Sequence, residues 1–278
     1  MTNQIAFVSH GGGPRPLLGD PQHKTLVAAL QTMATRLAQP KHIVVISAHW
    51  ESDPIKITGS ASPPLFFDYY GFPEEAYRLQ YPAPGAPLLA EKLARTLTDA
   101  GFDATLDAER GLDHGVFVPL MLMHPNAHVP VLQISLSATL DAASHIALGE
   151  ALAALDEDGI LFLGSGFTFH NMRAFATDQH DIRQANHAFE DWLEATLHSE
   201  NLNRDSIKQR LIGWETAPGA RLCHPREEHL LPLHVCFGIA GRGADAVTSV
   251  QALNKRASNY LWLNCAPSHL NRLASFGA

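Results

Sequence analysis

Four short apolar runs rich in β-branched residues, at Ile5 to Val8, Ile43 to Ser47, Val129 to Leu136 and Ile160 to Leu163, constrain this chain more than any other feature. Each is nearly continuous in apolar character and bounded by Gly, Pro or polar residues, the pattern of a strand buried on both faces. Strands of that kind need helices to cover them. Segments with helical spacing lie between and after them, at Thr25 to Ala38, Ala86 to Ala100, Ala142 to Leu155, Asp181 to Leu197 and Glu228 to Ile239. The expected fold class is α/β, a single domain with a central, mostly parallel or mixed sheet flanked by helices on both faces. A chain of 278 residues with 46% hydrophobic content can bury such a core. No repeat, low-complexity linker or shift in composition divides it, so residues 1–278 are read as one domain.

Composition removes several function classes. Charged residues make up 17% and the net charge is −8, without basic runs, which argues against nucleic acid as a partner. No stretch approaches the roughly 18 apolar residues of a membrane span, and the start, MTNQIAFVSHGGG, lacks a basic segment followed by a long apolar one. A cytoplasmic protein with no membrane partner is expected. The three cysteines, Cys223, Cys236 and Cys265, are odd in number and never in CxxC spacing, against both a disulfide framework and a thiolate zinc site. A metal in this chain therefore falls to its 16 histidines.

In open α/β sheets the binding crevice forms outside the carboxyl ends of the strands, so position relative to a strand separates the histidines. His10 follows the first run in Ser9-His10-Gly11-Gly12-Gly13, where glycines allow a tight turn and close approach. His49 follows the second in Ser47-Ala48-His49-Trp50, and His170 lies shortly after the fourth in Gly164-Ser165-Gly166-Phe167-Thr168-Phe169-His170-Asn171. His114, in Leu112-Asp113-His114-Gly115, precedes the strand that begins near Val129. One such histidine alone is usually a hydrogen-bonded structural residue; several converging from different strand ends would make a preorganised site. His229 adds a fifth, in Glu227-Glu228-His229-Leu230-Leu231-Pro232, where the two glutamates also suit a helix N-terminus. His224 and His234 lie five residues to either side, off the helical face of His229, and are left out with the remaining histidines.

Ser60 to Gly85 is of another kind, with Phe66, Phe67, Tyr69, Tyr70, Phe72, Tyr77 and Tyr81 set among prolines and glycines. It reads either as a long ordered loop walling a pocket for a planar substrate or as a surface loop folded onto its own side chains.

Taken in order, Ser9-His10-Gly11, Ser47-Ala48-His49-Trp50, Phe72-Pro73-Glu74-Glu75 with Tyr81-Pro82-Ala83-Pro84-Gly85, Leu112-Asp113-His114-Gly115, Gly164-Ser165-Gly166 through His170-Asn171, and Glu228-His229 through Pro232-Leu233 resemble the class III extradiol ring-cleavage dioxygenases of the 4,5-DOPA dioxygenase type. The resemblance runs across nearly the whole chain. It implies that His10, His49 and His229 hold one divalent metal, with His170 as a fourth ligand or as the acid/base residue and with a catalytic contribution from His114. It implies Fe(II) for activity, with Zn(II) possible in the isolated protein. The implied substrates are O2 and a catechol, DOPA-like or a related catecholic acid, opened to a semialdehyde. Better-known ring-cleaving relatives complete the site with a glutamate, so either His229 replaces that carboxylate or Glu228 supplies it. Two other readings stay open from the residues alone, a zinc-dependent hydrolase and a binding module on the same fold. Arg78, Arg221 and Arg226 could each meet a substrate carboxylate.

Overall fold

The computed structural model describes residues 2–177 and 179–265. Eight strands, β1 (Asn3–Ser9), β2 (His42–Ser52), β3 (Ile55–Thr58), β4 (Ala104–Asp107), β5 (Val131–Ser137), β6 (Ile160–Gly166), β7 (Ala246–Ala252) and β8 (Lys255–Cys265), form one sheet in the order β4-β3-β5-β2-β6-β1-β8-β7. The four runs read from sequence are its centre, β5-β2-β6-β1, and are mutually parallel. β3 and β8 join this centre antiparallel, so the sheet is mixed.

Eight α-helices accompany it among the described residues: α1 (Lys24–Arg36), α2 (Pro87–Asp99), α3 (His114–Met123), α4 (Ala142–Leu152), α5 (His180–Leu197), α6 (Arg204–Ile212), α7 (Ala220–Cys223) and α8 (Leu231–Ala240). None is long and apolar enough to cross a membrane. Cys223 and Cys236 are buried and unbonded, and the side chain of Cys265 lies outside the described residues. The helix expected from Glu228 begins only at Leu231, with Pro232 in its first turn, where a missing N–H costs nothing. Glu228 and His229 therefore lie in its lead-in rather than on its face.

The end of β6 shows how the layers are spaced. Successive strand residues face opposite sides, so Gly164 and Gly166 look one way and Ser165 the other. On the Ser165 side the hydroxyl donates to the Gly115 carbonyl at the start of α3. On the other side lies α8, and a Cβ on Gly164 would stand 2.5 Å from Cys236 Sγ and 2.8 Å from the Pro232 carbonyl. The two helices thus cover opposite faces of the same strand, and the glycines provide clearance. α8 is in turn pressed onto α4 where Gly149 and Gly238 meet, each leaving room for the other helix's backbone.

That contact predicts a large cost for one methyl group. In Gly238→Ala the new Cβ would lie 2.2 Å from the Ile146 carbonyl, and neither backbone can rotate away. Overpacking of this kind costs about 1–3 kcal/mol, to be read as a lower urea midpoint with an unchanged slope. A wild-type midpoint would mean that the α4–α8 contact spreads freely.

Candidate metal centre

All five candidate histidines come together at the carboxyl ends of the central strands. His10 directly follows β1, its N–H bonded to the Gly166 carbonyl at 2.9 Å. His49 is inside β2 rather than after it. Pairing of β2 with β5 jumps from Ile46–Ile134 to Glu51–Leu136, so the intervening residues leave the ladder and His49 reaches the crevice. His170 sits in the loop after β6, tied down by its N–H to the Cys223 carbonyl (2.9 Å) and by Asn171 Nδ2 to the Leu222 carbonyl (2.8 Å). His114 opens α3, and the His229 carbonyl accepts from Phe167 N at 3.0 Å. Ring centroids of His10, His49 and His229 are 4.9–5.3 Å apart. His114 lies 3.9 Å from His49, and His170 stacks on His229 at 3.3 Å.

Every one of these rings has an oxygen behind its Nδ1. His10 meets Ser165 Oγ (3.1 Å), whose own proton goes to Gly115, so the hydroxyl can only accept from the ring. His114 meets Asp68 Oδ1 (2.8 Å) and His49 faces Asp68 Oδ2 (3.4 Å). His229 and His170 share Glu228 Oε1, at 2.9 and 3.1 Å. Acceptors there fix the proton on Nδ1 and leave Nε2 with a lone pair, the arrangement found behind metal-bound imidazoles. The Nε2 atoms of His10 and His49 are only 3.1 Å apart. With the His10 proton held at Nδ1, its Nε2 lone pair faces His49 Nε2, which either donates to it or, with its own proton turned toward Asp68, shares a cation with it. At that spacing both nitrogens can reach one ion at the roughly 2.0–2.1 Å of a zinc–imidazole bond. The donor set therefore fits a metal ion; His10, His49 and His114 form one compact group of possible ligand atoms, and His170, Glu228 and His229 another.

Protonation agrees with this. Burial, followed by the surrounding imidazoles, holds His10 well below its usual range; burial likewise lowers His49 and His229. These three rings stay neutral at pH 7, as a ligand must. Burial raises the carboxyls of Asp68 and Glu228, but hydrogen bonds from His114 and His170 and nearby positive charge outweigh it, and both lie below the usual range.

Residues 5–259 match the family described as the catalytic LigB subunit of aromatic ring-opening dioxygenase. The chain belongs to this family. It is 40% identical over 254 residues to "Dioxygenase tasH" of Hapsidospora irregularis (85% of this chain, 78% of that protein). Against "4,5-DOPA dioxygenase extradiol" of Beta vulgaris it is 37% identical over 246 residues (86% of this chain, 88% of that protein), and against the protein so named in Escherichia coli K12 34% over 246 residues (87% and 86%). A crystal structure of an uncharacterized Escherichia coli K12 protein superposes with a TM-score of 0.73 at 28% identity, covering 93% of this chain and 98% of that one. This LigB-family protein is an extradiol ring-opening dioxygenase acting on a small molecule and O2, in a family that uses a metal ion.

In the LigB-family chain the aromatic segment both folds onto its own side chains and walls a cavity. Phe67, Tyr69, Phe72 and Tyr77 pack on one another, and Tyr69 also meets the His114 ring. The same segment walls a cavity of about 680 Å³ with Asp68, Tyr69, Tyr70 and Phe72, above a floor of His10, His49, His114, His170 and His229. Asp68 is the residue beside His114 and His49 that sequence reasoning passes over. Its one signal is a lone acidic residue inside Phe66-Phe67-Asp68-Tyr69-Tyr70. Of the arginines considered for substrate binding, none lines this cavity: Arg78 pairs with Glu74, Arg221 with Glu215 and Glu227, and Arg226 with Glu51.

His224 supports the site from behind. Its Nε2 donates to the Thr168 carbonyl (2.8 Å) in the loop leading to His170, and burial pushes its pKa down to about 3. Folded His224 is neutral where the unfolded chain protonates it, so its contribution is intact above pH 6.5 and is withdrawn below, by about 1.4 kcal/mol per pH unit until pH 3. Urea unfolding between pH 7 and 4.5 should show this extra loss in the wild type and a shallower slope in His224→Gln. Parallel slopes would refute the assignment.

Proposed function

We propose that this dioxygenase opens the ring of a catechol bearing a polar side chain, DOPA or a related catecholic acid, beside its hydroxyls to give a semialdehyde. The ring would be held at one ferrous ion on Nε2 of His10, His49 and His229. The observation that carries this reading is the set of Nδ1 acceptors, Ser165, Asp68 and Glu228, which turn three buried neutral imidazoles inward. Glu228 is taken as an acceptor and not a ligand, because its Oε1 serves His229 and His170 while its Oε2 faces Arg226 at 3.4 Å. DOPA-dioxygenase names among the relatives support the substrate class. When bound, a redox-active divalent ion supplies an anchor for two adjacent hydroxyl oxygens and an electron route from the ring to O2. Zinc, with no accessible redox change, would fill the site without turnover.

The chain's own residues supply proton handling and shape. Tyr69 and Phe72 present ring faces and edges against which a planar substrate packs. His170 accepts the proton of the second hydroxyl at Nε2, and the Glu228 carboxylate behind its Nδ1 stabilises the imidazolium that results. His114, fixed by Asp68 through both its ring and its backbone N–H (3.0 Å), orients O2 or, having taken the first catechol proton at Nε2, returns it in the later steps. Neutral ligands leave the ion's charge to be balanced by the doubly deprotonated catechol.

Two measurements test this. Replacement of His10, His49 or His229 by alanine should abolish stoichiometric metal in elemental analysis, whereas Glu228→Gln should weaken binding about 10- to 100-fold, as loss of an outer hydrogen-bond partner does. Full occupancy in His229→Ala would transfer the third ligand to Glu228 or His170. In the second, the iron-loaded protein should consume O2 with DOPA or a catecholic acid and form a yellow semialdehyde, and the zinc-loaded protein should not. His170→Gln should lower kcat by roughly 10²- to 10⁴-fold while anaerobic substrate binding persists. Absence of O2 uptake with every catechol tried, or cleavage between the hydroxyls, would overturn the reading.

A further inference from the structure

We infer that Arg15 is the residue that selects for an anionic group on the substrate's side chain. The inference rests on the catechol reading above and names what reads the part of the molecule remote from the hydroxyls. Arg15 is the one Lys or Arg side chain lining the 680 Å³ cavity, and the only carboxylate there, Asp68, is committed through Oδ1 to His114 and through Oδ2 to His49. Arg15 shares its charge with Asp20 outside the lining, so what this wall offers an anion is guanidinium donors for which no carboxylate of the wall competes.

The arginine is held for such a task. It opens the short 3-10 helix Arg15–Leu18 that follows His10 and the glycine turn Gly11-Gly12-Gly13, and this turn is pinned by Gly12 N–H donating to His23 Nε2 at 3.1 Å. Gly13 (φ +60°) lies against the Phe72 ring, over which the Arg15 guanidinium sits at 5.7 Å. Asp20 takes Nη1 at 3.1 Å and is itself fixed by the Gln22 N–H at 2.9 Å. Nε and Nη2 keep their donors free among the described residues, and a carboxylate can be gripped through such a pair. Gln22 and Asn254 line the same cavity beside it and offer amides to neighbouring polar atoms. The preferred substrate is then a catechol whose short side chain ends in a carboxylate, reaching from the histidine floor to this turn.

The test compares 3,4-dihydroxyphenylacetate with uncharged 4-methylcatechol. Wild-type protein should favour the acid. Arg15→Gln should raise the KM for the acid by about 10-fold or more, the effect of losing a hydrogen bond between charged groups at a half-open site, with kcat and the KM for 4-methylcatechol little changed. Arg15→Lys should recover part of the loss. Calorimetric titration of the zinc-loaded protein with the same compounds should reproduce the pattern without turnover. Turnover of 4-methylcatechol by Arg15→Gln also shows that the variant is folded. Equal effects on acid and neutral catechol, or no effect on either, would overturn the role of Arg15 while leaving the catechol reading intact; a wild-type iron protein that opens neither compound nor DOPA would remove both.

Discussion

The hydrogen bond from Phe167 N–H to the His229 carbonyl crosses the end of β6 where two backbones can touch because residue 166 has no side chain. A Cβ there would stand 2.1 Å from the His229 oxygen. Everything about the centre depends on this approach. It brings His229 from the far end of the sequence to the strand end that also receives His10, whose N–H bonds the carbonyl of the same Gly166. Gly166 therefore clamps two imidazole-bearing segments, one on its N–H-accepting side and one across its missing side chain. A flexible loop could carry the same residues but could not fix their separation.

Gathering five imidazoles in one place has an electrostatic cost, and the structure shows how it is contained. Burial and mutual proximity keep the deep rings neutral, so they do not repel as cations. Their Nδ1 protons are satisfied by acceptors, two of them ionised carboxylates. Asp68 has no Lys or Arg partner among the described residues, and its charge is directed wholly at His114 and His49. Glu228 has Arg226 on its outer oxygen only. Negative charge thus lies behind the rings and lone pairs lie in front, a polarity that favours a cation at the inner nitrogens and disfavours an anion there. The polarity belongs to the acceptors as much as to the histidines.

The centre of the fold was legible in the sequence because buried parallel strands are short continuous apolar runs, rich in β-branched residues and bounded by Gly, Pro or polar residues. What escaped did so for definite reasons. β3 and β4 are four residues each, and β4 is largely solvent-facing, so neither writes a clear pattern. α3, in HGVFVPLMLM, is apolar all round, and a helix buried on every side has no amphipathic period to detect. The metal-ligand candidates stood out because strand ends concentrate function. Asp68 did not, since a loop carboxylate 46 residues before His114 and well past His49 in sequence is defined only by the fold that brings the three together. That His49 lies within β2 and not after it escaped as well, because a bulge, unlike a strand, leaves no periodic trace.

The placement of Asp68 has a mechanical consequence. Its neighbours Phe67 and Tyr69 both pack on Phe117 of α3, and Tyr69 is further fixed by its hydroxyl donating to the Ala76 carbonyl at 2.6 Å. The wall a planar substrate would meet and the carboxylate that orients His114 and His49 are consecutive residues of one strip of chain, anchored to the helix that His114 begins. The Asp68 N–H turns back onto the Phe66 carbonyl at 3.0 Å, and Asp68 faces the histidines while Phe67 and Tyr69 hold the strip to α3. Movement of the wall by a fraction of an ångström would then change the hydrogen bonds behind two imidazoles as well as the shape in front of them. Substitutions that enlarge or reshape the pocket at Tyr69 cannot be neutral for the metal centre, whereas changes at the rim, beyond Phe72, act on a part of the cavity that carries no acceptor for the histidines. The chain thus separates a rigid interior, where chemistry and shape are coupled, from a rim at Arg15 and Gln22 where the substrate's remote end can be read independently.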